Sequence, residues 1–105
     1  DTAGEDENFD GIVSALEAID ALLRRVISLN PTVLVVAGDH STPAIMGSHS
    51  WHPVPLMVRS QFTYGDGVKG FSERHCNTGS IGRIKAKSVM MEALAHAGKL
   101  SKFGP

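Results

Sequence analysis

The chain has 105 residues, 42% of them hydrophobic and 20% charged, with a formal net charge of −1. This is ordinary globular composition, sufficient for one small domain, and the charge balance excludes a general nucleic-acid binder. No apolar stretch is long enough to span a membrane, and no signal peptide is visible. A single cysteine, Cys76, rules out an internal disulfide and favours a reducing compartment; it reads as a small, buried residue.

Charge is unevenly spread. The first ten residues hold Asp1, Glu5, Asp6, Glu7 and Asp10 with no base, whereas Arg74, Arg83, Lys85, Lys87, Lys99 and Lys102 lie in the C-terminal third. Most of these read as solvated faces.

Phe9, Ile12, Val13, Leu16, Ile19, Leu23, Val26 and Ile27 recur at helical spacing, with Glu17, Asp20 and Arg24 off the stripe. This predicts a surface helix packed on a sheet, capped by Asn8 or Asp10 and ended by Asn30-Pro31. Thr32–Ala37 is short, β-branched and almost wholly apolar, which predicts a strand buried on both faces of a parallel or mixed sheet. Pro55–Ser60 reads as a second strand at an edge, entered through Pro53 and Pro55. Gln61–Gly70, with three glycines, reads as a loop or hairpin tip. Gly79-Ser80-Ile81-Gly82 lacks the preceding strand and following Lys-Ser/Thr of a phosphate loop, so a flexible turn before a helix is expected. Lys87–Ala97 is the second helix, with Gly98 at the C′ position and Met90, Met91 and Leu94 as core residues. A helix followed by such a strand predicts α/β architecture.

The first strand runs into Gly38-Asp39-His40, and His49 and His52 follow in a loop containing Pro43, Pro53 and Pro55. In open α/β sheets ligands gather beyond the carboxyl ends of strands. Carboxylate and neutral imidazole together suit zinc or manganese better than calcium or magnesium. Adjacent Asp39 and His40 can serve one metal from a curved turn, or two metals from opposite sides of the chain. Ser41 is a poor nucleophile candidate, because sequence neighbours rarely reach the geometry of a nucleophile and its base and no G-x-S-x-G elbow surrounds it. Ser41 is expected to bond the loop backbone instead.

"GDHSTP" followed by "SHSWHPVPLMV" resembles the archaeal-type branch of cofactor-independent phosphoglycerate mutase, in the alkaline phosphatase superfamily. "DTAGED", "FSERHCNTGSIGRI" and "KFGP" resemble its C-terminal part in the same order. The resemblance implies interconversion of 3-phosphoglycerate and 2-phosphoglycerate through a phosphoserine, with two divalent metals. Manganese is the expected metal, with zinc, magnesium and cobalt as alternatives. Asp39 and His40 match the pair that binds one metal, and His49 and Asp1 match ligands of the other. The family motif is Asp-x-x-Gly-His, so Glu5 stands where the family has a ligating histidine. His52 matches no ligand and is expected to support the loop or orient a ligand.

The resemblance also implies that the nucleophilic serine, a further metal-binding aspartate and the substrate domain lie N-terminal to the matched region. Residues 1–105 are therefore expected to be the C-terminal portion of an alkaline-phosphatase-like α/β sandwich, an incomplete domain of a cytoplasmic enzyme that contributes metal ligands and not the nucleophile. A start at Asp1 rather than Met, and too few elements to cover the first strand, fit that expectation. Exposed strand edges and an apolar stripe would then make the isolated piece self-associate. The alternatives are a related phosphomutase or phosphatase, or a non-catalytic assembly domain with a degraded metal site.

Overall fold

A computed structural model describes residues 2–101. The chain divides into two compact units, one comprising the residues up to Asn30 with Gly38–Val54, the other Pro31–Ala37 with Pro55 onward. Helices and a small sheet together give the expected α/β class.

The first unit opens with a short helix, α1 (Thr2–Glu5), not anticipated from the sequence, followed by α2 (Phe9–Ser28). The chain leaves α1 through Glu7 in a left-handed conformation, with φ of 54°. The Asn8 N–H donates to the Ala3 carbonyl and the Glu7 N–H to the Gly4 carbonyl, closing the free carbonyls of the helix end. Asn8 then caps α2, its side-chain oxygen accepting from the Gly11 N–H at 2.9 Å. At the other end Asn30 is left-handed (φ 49°) and donates to the Ile27 carbonyl. Pro31 has no N–H to continue the pattern, so the helix stops there. Within this unit α2 packs against α1. Most of its stripe is exposed, with Phe9 67% and Leu16 60% accessible, while Ile12 and Leu23 are half-buried.

The second unit holds β1 (Val33–Ala37), β2 (Leu56–Ser60), α3 (Glu73–Cys76) and α4 (Val89–His96), the last preceded by a 3-10 turn at Ala86–Ser88. The strands pair antiparallel, with Val33 opposite Ser60, Val35 opposite Val58 and Ala37 opposite Leu56. This corrects the expectation of a parallel or mixed sheet. A parallel return needs a crossover, usually helical, and residues 38–55 form turns and extended chain. It also corrects the expectation of a strand buried on both faces: Val33–Val36 are half-buried and Ala37 is exposed. No hydrophobic side chain among the described residues is fully buried.

α4 packs against β1, and Leu94 is half-buried. Met90 and Met91, expected in the core, are exposed: the short helix turns Val89, Ala93 and Leu94 inward instead, and these are half-buried. Cys76 is half-buried. Gly98 ends α4 with φ of 65°; its N–H donates to the Ala95 carbonyl, and the Lys99 N–H donates to Leu94. An L-residue there would meet the steric cost that glycine avoids. Among the described residues no helix is long and apolar enough to cross a membrane.

The glycine-rich loop after β2 is tied down by one carboxylate. Asp66 accepts from the N–H of Val68 (3.2 Å), the N–H of Ser80 (3.1 Å) and the Ser80 hydroxyl (3.3 Å). The Gly79–Gly82 turn is thus tied through Ser80 to the Asp66 carboxylate. The Ser80 amide first, and then the Val68 amide, hold the Asp66 carboxyl below its ordinary value of 3.8. A depressed carboxyl stabilises the fold above its unfolded pKa and loses that contribution as pH falls through the folded value. In an NMR titration the Ser80 amide resonance should therefore shift only at pH below the ordinary aspartate range, and Asp66→Asn should abolish that shift.

Candidate metal centre

The histidines lie in the first unit. β1 ends at Ala37, and Gly38-Asp39-His40 leaves it as a bend. Ser41 and Ser50 then form an isolated antiparallel bridge, the Ser50 N–H donating to the Ser41 carbonyl at 2.8 Å. Ser41 thus holds the loop, as expected, through its carbonyl. Between them the Pro43 carbonyl accepts from the N–H groups of Met46 (2.9 Å) and Gly47 (3.2 Å), which closes the turn. Antiparallel register sets Thr42 opposite His49.

That register brings the two histidines together. Their Nδ1 atoms are 2.8 Å apart, and the Thr42 hydroxyl lies 3.1 Å from that of His40 and 3.2 Å from that of His49. The rings meet edge to face with centroids 4.0 Å apart. A neutral imidazole carries one N–H, so in the 2.8 Å contact one Nδ1 donates and the other accepts.

Asp39 stands beside His40, its carboxylate 3.8 Å from Nε2, but its side chain is 98% exposed. Asp1 lies outside the described residues. His52 is engaged by its own neighbours, with Nδ1 2.9 Å from the Ser50 hydroxyl and its ring stacked on Trp51.

Two residues outside the predicted ligand set join this cluster. Thr42 carried no chemical signal in the sequence. Glu5 did, through its place in the Asp-x-x-Gly-x pattern. It is the last residue of α1, and its carboxylate lies 3.5 Å from His49 Nε2. The preceding Gly4 is buried against Thr42, where an added Cβ would fall 2.8 Å from the Thr42 carbonyl oxygen and 2.9 Å from Cγ2. Only glycine permits that approach.

The donor set is imidazole nitrogen and carboxylate oxygen, which fits a first-row divalent metal. The donors come in pairs, His40 with His49 and His49 with Glu5. Among the described residues no group of three or more His, Cys, Asp or Glu is arranged to hold an ion.

A profile of the metalloenzyme superfamily matches residues 1–96. A Thermotoga petrophila protein named as a probable 2,3-bisphosphoglycerate-independent phosphoglycerate mutase is 50% identical over 104 residues. A Thermus thermophilus protein of the same name is 47% identical over 104 residues. Each match covers 99% of this chain and 26% of the relative, so the chain spans about a quarter of their length. A solved structure from Pyrococcus horikoshii superimposes with a TM-score of 0.90 at 29% identity, covering 98% of this chain and 28% of that one.

Gly4→Ala should push α1 away from Thr42. The expected cost is about 1–3 kcal/mol, the usual range for overpacking. Thermal unfolding measures that cost, and the His40 and His49 ring resonances should shift with it.

Proposed function

Because the chain belongs to the metalloenzyme superfamily, we propose that it is the C-terminal portion of a metal-dependent phosphoglycerate mutase. The whole protein would interconvert 3-phosphoglycerate and 2-phosphoglycerate through a phosphoserine, as a glycolytic enzyme of the cytoplasm. The observation that carries this reading is the 2.8 Å approach of His40 and His49, made within a chain that matches proteins of that name over 99% of its residues.

Asp39 and His40 would hold one divalent metal, and His49 and Asp1 would contribute to the other. Manganese is the proposed metal. Such ions, when bound, neutralise phosphoryl charge and lower the pKa of an attacking hydroxyl. The chain's own task is to preorganise the donors. The Ser41–Ser50 bridge sets their spacing, the Thr42 hydroxyl orients both rings, and Asp39 extends from the same bend. The attacking serine would come from outside this chain. A degraded, non-catalytic site is the second reading, motivated by Glu5. Against it, the Glu5 carboxylate faces His49 at 3.5 Å, so a metal-competent donor still occupies that place.

Full-length protein supplied with manganese and 3-phosphoglycerate should yield 2-phosphoglycerate; release of inorganic phosphate alone would identify a phosphatase instead. His40→Ala and His49→Ala should each lower kcat more than about 100-fold, beyond the 10–100-fold typical of groups that only orient a ligand. The 105-residue chain alone should bind manganese or zinc no more tightly than about 1 μM by calorimetry, since an incomplete donor set gains too little to offset its ordering.

A further inference from the structure

The Glu5–His49 contact is long for a hydrogen bond. A charge-assisted N–H···O hydrogen bond closes to about 2.7–2.9 Å, yet Glu5 Oε1 stands 3.5 Å from His49 Nε2. Two donors bound to one ion at about 2.0–2.2 Å each are separated by roughly 3.0–3.5 Å at right-angled to tetrahedral bond angles. The observed spacing matches the upper end of that range. The backbone sets it: Gly4 packs on Thr42, which fixes the end of α1 against the histidine loop, and Glu5 is the next residue.

His49 is poised in the complementary sense. Its Nδ1 is engaged by the Thr42 hydroxyl at 3.2 Å and by His40 at 2.8 Å, which leaves Nε2 as the nitrogen turned toward Glu5. A metal-ligating imidazole characteristically binds with one nitrogen while the other is held by a neighbouring polar group. Glu5 and His49 are both about half exposed, so an ion can reach them.

We propose that Glu5 is an oxygen ligand, alongside His49, of one divalent metal, and that it biases that position toward manganese over zinc. This rests on the metal-dependent reading above and adds to it a ligand and a selectivity. Carboxylate oxygen adds a negative charge and a hard donor, which suit manganese, whereas a further imidazole would suit zinc.

The test is equilibrium metal binding by the metal-free, full-length protein, with free manganese followed by electron paramagnetic resonance and zinc by competition. Glu5→Gln should weaken manganese binding at one position by at least about 10-fold. Glu5→His should retain binding and raise the zinc-to-manganese affinity ratio by about 10-fold or more. Wild-type uptake unchanged by Glu5→Gln, or a metal preference unchanged by Glu5→His, would overturn this proposal while leaving the mutase reading intact. A wild-type protein that takes up neither metal would overturn both.

Discussion

The backbone hydrogen bond from Ser50 to Ser41 is the constraint on which the site depends. It fixes an antiparallel register across a loop of few residues, and that register puts the Thr42 hydroxyl against His49 and within reach of His40. Without it, two exposed imidazoles nine positions apart would sample many rotamers, and each would lose that freedom on binding a ligand. Pro43 reinforces the turn. Its ring fixes φ, and its carbonyl accepts two N–H groups at the far end of the loop. The ordering cost is thus met during folding, the condition under which a metal or phosphoryl site gains from preorganisation.

Helix ends supply the second set of constraints. Glu7, Asn30 and Gly98 each take a left-handed conformation one residue past a helix cap, and each donates its N–H back to the helix end. At α1 this reversal has a consequence for the site, because it stops the helix at Glu5 and leads directly into the Asn8 cap of α2. The short helix is too small to be stable by propensity. It is held by the close approach of Gly4 to Thr42, so the element that carries Glu5 and the loop that carries His49 stabilise one another.

The second unit rests on different terms. The β1–β2 ladder, the packing of α4 on β1 and the Asp66–Ser80 link hold it with half-buried side chains. A bond from the end of β2 to α4 adds to this, with the Ser60 hydroxyl 3.4 Å from His96 Nδ1. The apolar run of β1 is patterned for two covered faces, yet a two-stranded sheet with one packed helix leaves it half-buried. That shortfall accords with the chain spanning 26% of its relatives' length.

Local features were legible in the sequence because they depend on neighbours a few residues apart. The 3.6-residue spacing specified α2, Asn8 and Asn30-Pro31 its ends, the proline-led run β2, and Gly98 the stop of α4. The motifs marked the family, and the order Gly38-Asp39-His40 with His49 marked the loop in which the two histidines meet. Strand direction was not legible, since an apolar run reads the same in parallel and antiparallel sheets and only the path of residues 38–55 decided it. Nor were the roles of Thr42 and Asp66, because cross-strand register and a carboxylate bonding fourteen residues away leave no periodic trace. Sequence named Glu5 as a departure from a pattern. Only tertiary structure, by packing Gly4 on Thr42, decided that its carboxylate faces His49.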